Sequence, residues 1–255
     1  MMEDKIHFYI RVAHTDIEVH CCFLMTQEYC RDYRIPDSQN VDLVVDIGQG
    51  DIEAERAYQV SLNDHEQLEA VTPEALEILV LCRKIAEKLP ERGMVLFHGS
   101  ALSFDGKGVL FTATSGTGKS THAALWRKVF GRRVRMVNDD KPFLSLGAEG
   151  IYVHGSPWRG KHRLGENTEV PVRAICLLNR GEENRIEPVS PREALPVLMQ
   201  QTYQPKAPGA LLQTMVLVDR LSREVPVFRL FCNMNEDAAR VALHGVLPND
   251  EENDL

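Results

Sequence analysis

The stretch Phe111–Trp126 reads FTATSGTGKSTHAALW. An Ala, four free positions and Gly-Lys-Ser run from Ala113 to Ser120, a spacing that looks like a phosphate-binding loop. Such a loop works because successive backbone N–H groups point into one concavity at a helix N-terminus. Gly116 and Gly118 permit the backbone angles and close approach this needs. Lys119 would reach the outer phosphates as a point charge, and Ser120 would offer its hydroxyl to Mg²⁺. Ser115, Thr117 and Thr121 complete the set expected around the phosphates. The context agrees: apolar VLFTAT reads as a strand before the loop, and KSTHAALWRKVFG as a helix after it.

Two neighbours extend the reading. RVRMVNDD is a strand ending in Asp139 and Asp140, and it could run beside the loop strand. Carboxylates suit Mg²⁺. Two adjacent ones can divide the work, one facing the metal while the other accepts a proton from a substrate hydroxyl. Upstream, His98 sits in MVLFHGSALSF, joined to the loop strand by the turn DGKG. That position suits either an active-site histidine or a buried, hydrogen-bonded one.

The remaining chain reads as alternating short elements. PFLSL, GAEG and IYVHG predict a hairpin, VRAICLLN and PVFRLFC two strands. SPREALPVLMQQTY is a helix opened by a capping box at Ser190 and Glu193, and NEDAARVALHGVL is a closing helix capped by Asn235. In the first ninety residues IHFYIRVAH and IEVHCCFLM predict a hairpin turning at Thr15-Asp16, and VDLVVDI a further strand. TPEALEILVLCRKIAEKLPERG predicts a helix capped by Thr72 and stopped by Gly93. The histidines His7, His14 and His20 fall on these strands at a spacing that does not resemble a metal site. The division expected is an N-terminal α+β region over 1–92, a nucleotide-binding domain over 93–247 and a disordered acidic tail over 248–255.

Composition bounds the partners. The 255 residues carry a net charge of -8, with 44% hydrophobic and 26% charged side chains. An acidic chain is a poor general ligand for nucleic acid, whose affinity comes from Lys and Arg neutralising phosphates; GRRVR at 131–135 is a local exception. Six cysteines without a C-x-x-C spacing read as reduced, buried thiols. The opening residues carry charges throughout, unlike a signal peptide, and no run approaches the ~20 apolar residues of a membrane span. A cytoplasmic protein is expected.

Taken together, HGSALSFDGKGVLFTATSGTGKS followed by VNDD resembles the catalytic domain of bacterial HPr kinase/phosphorylase. The resemblance covers about Met94 to Gly160. It implies a fold related to the nucleotide-binding core of phosphoenolpyruvate carboxykinase: a mixed, hairpin-rich α/β sheet flanked by helices, here with a smaller N-terminal α+β region. It also implies phosphoryl transfer to a serine hydroxyl of a protein. Lys119 and Ser120 would hold nucleotide and Mg²⁺, Asp139 would support the metal, Asp140 would take the proton, and His98 matches the active-site histidine. The chain departs from the pattern after this point, where Tyr152, Val153 and His154 stand in place of an acidic metal ligand. Instead GSPWRGKHRL offers Arg159 and Lys161, either to clamp the γ-phosphate or an anionic acceptor, or as a solvated basic loop with Trp158 on the core. QQTYQP, 200–205, is a helix end or a ligand contact.

The expected function is a kinase using ATP or GTP with Mg²⁺ and acting on a protein, peptide or small-molecule hydroxyl. The kinase relatives are hexameric, which raises homo-oligomerisation for this chain. Two other readings stay open: a small-molecule phosphotransferase, and a nucleotide-dependent binding module needing neither His98 nor Asp140.

Overall fold

The computed structural model describes residues 5–62, 71–114 and 116–248; Ser115 and the acidic tail from 249 onward lie outside the described residues. The chain divides into two units, 1–88 and 89–255. All six cysteines are free thiols, and among the described residues no helix is long and apolar enough to cross a membrane.

The first unit is built on a four-stranded sheet of β1 (Ile6–Val12), β2 (Thr15–Cys21), β3 (Arg34–Ile35) and β4 (Leu43–Asp46), in the order β3-β1-β2-β4. Strict alternation puts Phe8, Ile10, Val12, Ile17 and Val19 into a core and leaves His7, Tyr9, Glu18 and His20 on the other face. The hairpin turns at Ala13-His14, not at Thr15-Asp16. Both turn residues adopt positive φ, 49° and 61°, the twist that a two-residue connection demands.

Among the described residues three α-helices complete the unit: α1 (Leu24–Tyr29), α2 (Gln49–Leu62) and α3 (Pro73–Lys88). The sequence reading extended β2 through Met25, but the strand stops at Cys21. The buried carboxylate of Glu77 on α3 accepts the N–H groups of Cys22 and Phe23 and the hydroxyl of Thr26, at 2.6, 3.1 and 2.5 Å. Backbone donors captured by a side chain are lost to the ladder, so the chain turns into α1. The α2 segment, QGDIEAERAYQVSL, had no predicted element. Its weak apolar stripe conceals it, and Asp51 fixes its start by accepting the Gly48 N–H at 2.9 Å.

The second unit carries a nine-stranded mixed sheet. Its strands are β5 (Met94–Leu96), β6 (Ser100–Phe104), β7 (Lys107–Thr112), β8 (Val134–Asn138), β9 (Phe143–Gly147), β10 (Gly150–His154), β11 (Glu169–Arg180), β12 (Arg185–Val189) and β13 (Val227–Cys232). The order is β5-β9-β10-β11-β7-β6-β8, with β13 on the later half of β11 and β12 beyond it. Only the β7–β11 and β11–β13 pairs of this sheet are parallel. The Asp-Asp strand β8 therefore does not lie beside the loop strand β7. It pairs with β6, which the Asp105-Gly106 turn folds back between them.

Helices cover both faces: α4 (Lys119–Phe130), α5 (Pro191–Gln201), α6 (Pro208–Glu224) and α7 (Asp237–Val246). Phe104, Phe111, Trp126 and Leu243 belong to the core on the α4 and α7 side; Ala101, Leu110, Leu198 and Leu221 belong to the core on the α5 and α6 side. That is why β6 and β7 read as near-continuous apolar runs. The capping box forms as read: Ser190 Oγ accepts the Glu193 N–H and Glu193 accepts the Ser190 N–H. Two readings need correcting. The 208–224 stretch, without a predicted element, is a helix opened by Pro208 at its first position. The closing helix is capped at Glu236, and Asn235 supplies only its carbonyl, to the Ala238 N–H.

Candidate functional site

One edge of the larger sheet gathers the chemistry, and topology explains why. β7 and β8 both run antiparallel to β6, so the ends of β7 and β8 and the start of β6 share that edge. The glycine-rich turn leaves β7 there, Asp139 and Asp140 leave β8 there, and His98 enters β6 there.

The turn itself is held by short contacts. Thr117 donates its N–H and its hydroxyl to the Thr114 carbonyl, at 3.3 and 2.8 Å. Gly116 and Gly118 adopt positive φ, 77° and 125°, which disfavours any side chain there. Arg180, at the end of β11, donates to the Gly116 carbonyl at 2.7 Å. Lys119 opens α4 and folds back, donating to the Ala113 carbonyl at 3.1 Å. Burial pushes its ammonium pKa down, and Asp140 partly opposes this. Ser120 and Thr121 are exposed on the first turn of α4.

The two aspartates differ. Asp139 is buried, and its carboxylate accepts the N–H of Gly160 at 2.7 Å and of Leu164 at 3.3 Å. It is thus bound to the GSPWRGKHRL loop, yet it lines a 530 Å³ cavity together with Ser120, Thr121, Arg127 and His162. Asp140 is half-buried; its two oxygens lie 3.5 Å from His98 Nε2 and 2.5 Å from Lys141 Nζ. Burial and then the Lys119 charge lower the His98 pKa, while Asp140 and a hydrogen bond from the imidazole to the Gln201 side chain oppose them. His98 is therefore tied to both the glycine-rich turn and the Asp-Asp turn.

The GSPWRGKHRL loop divides. Trp158 is buried, edge-on to Phe143 at 5.9 Å, which is the packing alternative read from sequence. Arg159 is half-buried beside it and Lys161 is exposed. Ser115 lies outside the described residues. The structure thus brings His98, Lys119, Ser120, Asp139 and Asp140 to one edge, together with Gly116, Thr117, Gly118 and Thr121. It puts Arg159 and Lys161 on either side of Gly160, whose N–H is bonded to Asp139.

Sequence reasoning missed the residues that set this geometry. Asn138, fully buried at the end of β8, accepts the N–H groups of Asp140 and Lys141 at 2.9 and 2.7 Å. Its amide donates to Ser156 and Trp158, so one side chain shapes the Asp-Asp turn and ties it to the following loop. Thr112 donates to the His98 carbonyl at 2.9 Å and to Gln201 Oε1 at 3.1 Å. The Gln201 backbone carbonyl also accepts the His98 N–H at 2.7 Å; the residue is a helix end and a neighbour of the site at once. A buried Asn directly before two aspartates was the available signal for Asn138. Nothing local points to Arg180, whereas Gln201 falls within QQTYQP, read as a helix end or a ligand contact.

These features define an α/β protein with a glycine-rich strand–turn–helix facing a carboxylate pair. The family described as SynChlorMet cassette protein ScmC matches residues 64–238, and the chain belongs to that family. No curated protein matches it. Among solved structures the chain is similar to the Hpr(Ser) kinase/phosphatase from Coxiella burnetii, with 12% identity and a TM-score of 0.35; 61% of this chain and 99% of that chain are covered.

Proposed function

We propose that the second unit binds a purine nucleoside triphosphate with Mg²⁺ and transfers its terminal phosphoryl group to a hydroxyl, in the simplest case a serine of a protein or peptide. The observation that carries this reading is the meeting of Lys119, His98 and Asp140 at one strand edge. A module that only binds nucleotide has no need of a half-buried His–Asp pair beside its lysine.

The residues fit such ligands. A Cβ placed on Gly116 or Gly118 would meet nothing within 4 Å, so the turn is uncrowded at both glycines. Ser120 and Asp139 line one cavity, and a carboxylate that accepts two N–H bonds retains further lone pairs for a cation or its waters. Mg²⁺ there would neutralise charge on the phosphate oxygens. Lys119 would leave Ala113 for the outer phosphates and stabilise the charge developing on the moving group. Asp140 would accept the proton of the attacking hydroxyl, with neutral His98 orienting its carboxylate. Arg159 and Lys161 would face the acceptor.

Labelled ATP and GTP, incubated with the full chain and a lysate of its own cells, test the reading. Asp140→Asn should reduce label transfer by about 10²–10⁴-fold, the usual contribution of a general base, while calorimetric nucleotide affinity stays close to wild type. Lys119→Ala should weaken nucleotide binding itself. Transfer retained in Asp140→Asn would reject that residue as base, and tight binding without any labelled acceptor would favour the binding module.

A further inference from the structure

A second cluster lies in the first unit, on the open face of its sheet. β1 and β2 pair His7 directly with His20 and Tyr9 with Glu18, and β2 and β4 pair His20 with Asp46. Side chains at these positions alternate away from the core and share one face. The result is two imidazoles closing on a single carboxylate oxygen. His7 Nε2 lies 3.0 Å and His20 Nε2 2.7 Å from Glu18 Oε1, with the two rings 4.9 Å apart and perpendicular. The three donor atoms all lie within 4.8 Å of one another. In sequence, the offsets of 11 and 13 positions from His7 to Glu18 and His20 hide this; only the cross-strand register brings them together.

A neutral imidazole has one N–H and one lone pair. With a cation where the two Nε2 atoms and Glu18 converge, the Nε2 lone pairs would face the cation and the His20 Nδ1–H the Asp46 carboxylate, 3.6 Å away. A carboxylate on the far nitrogen is the usual arrangement for a metal-ligating histidine, because it fixes the tautomer and raises ligand basicity. Lys5, 2.7 Å from Asp46, holds that carboxylate in turn.

We infer that His7, Glu18 and His20 form a binding site for a borderline divalent transition ion of the Zn²⁺ class, with Asp46 as the positioning residue for His20. Two imidazoles and one carboxylate are a zinc donor set. Metal–ligand bonds of ~2.0–2.2 Å in a tetrahedron separate ligand atoms by roughly 3.3–3.5 Å, so small side-chain rotations open the observed cluster to that geometry. Three protein ligands leave a fourth position, and the part-exposed side chains direct it to solvent, where water or an external donor can take it.

The test is a Zn²⁺ titration of the chelator-stripped full chain against a chromophoric competitor, repeated with Co²⁺ to read its visible ligand-field bands. Wild type should hold one equivalent that His7→Gln, His20→Gln and Glu18→Gln each weaken by at least about tenfold, and Asp46→Asn by about tenfold through His20. Tetrahedral Co²⁺ bands should appear in wild type and be lost in the His variants. All four positions are at least part-exposed, and circular dichroism verifies that the variants fold. The proposal is overturned if wild type takes up no Zn²⁺ at micromolar concentration, or if affinity and Co²⁺ bands are the same in wild type and both His variants.

Discussion

The two sheets of this protein put their chemistry in different places. The larger one is covered by helices on both faces, so the side chains of β6 and nearly all of those of β7 are spent on packing, and polar groups collect where strands end. The smaller one is packed on one face only, and its open face carries His7, Glu18 and His20. A two-sided core directs function to the edge, where turns supply free backbone groups; a one-sided core directs it to the face, where register supplies side chains. Their anchors differ in the same way. Asn138 shapes the turn at a strand end, while Glu77 reaches up from a helix and stops a strand.

The largest stability effect expected tests the second anchor. Glu77→Ala leaves the Cys22 and Phe23 N–H groups and the Thr26 hydroxyl without their acceptor. At ~1–3 kcal/mol for each buried group left unpaired, the loss should be roughly 3–5 kcal/mol. Chemical denaturation measures it, and hydrogen exchange at Cys22 and Phe23 localises it. A loss below about 1 kcal/mol would mean that water replaces the carboxylate, and that Glu77 does not end the strand.

The larger sheet has a matching internal probe in His122, on the buried face of α4. Its Nε2 accepts the Trp126 indole N–H at 3.1 Å, its ring lies against Phe111 at 4.7 Å, and burial lowers its pKa from the ordinary 6.5 to about 4. The unfolded chain then binds a proton that the folded one refuses between these values. Stability contributed by this group is complete above pH 6.5 and is lost as pH falls toward 4, by about 3 kcal/mol in all. Denaturation midpoints from pH 7 to pH 4 should fall more steeply for wild type than for His122→Gln. Parallel curves would show that water reaches this face of α4, and that the sheet is less completely covered than its strand pattern implies.

How much of this was legible follows from the same contrast. The glycine-rich turn announces itself because only Gly and a fixed Lys-Ser spacing satisfy that backbone, and the Asp105-Gly106 turn does so for a like reason. The Ala13-His14 turn adopts the same positive φ with residues that do not advertise it, so the first hairpin was read two residues late. Helix α2 escaped because its apolar stripe is weak, and the 208–224 helix because the exposed Leu212, Met215 and Val216 blur the buried row of Ala210, Thr214, Val218 and Leu221. Asp139 and Asp140 were found, but their strand was put beside β7, since nothing local says that β6 intervenes. The spacing of His7, His14 and His20 does not resemble a metal site along the chain, and only the strand register adds Glu18 to His7 and His20.

Asn138→Ala comes next in size. It removes the acceptor of two buried N–H groups and a donor to two carbonyls, and should destabilise the second unit by about 1–3 kcal/mol. Transfer should fall more than nucleotide binding does, because the Asp140 turn loosens while the glycine-rich turn stays. Equal losses in both would mean that the two turns move as one body.

The smallest expected effect is at Lys161, and it decides how far the site extends beyond the strand edge. Arg159 and Lys161 look equivalent in sequence, yet Arg159 is half-buried beside Trp158 and Lys161 is exposed. Surface substitutions away from buried contacts stay within about 0.5 kcal/mol, so Lys161→Ala should leave the denaturation midpoint unchanged. If Lys161 meets an anionic acceptor across water, it should slow transfer by less than about tenfold, and added salt should shrink that difference as screening grows. Arg159→Ala should slow transfer more and resist salt, since partly buried charges are screened less. A salt-independent defect at Lys161 would mean that the loop closes over the acceptor and buries the lysine. No defect at all would end the site at Gly160, whose N–H to Asp139 would then be the loop's whole contribution.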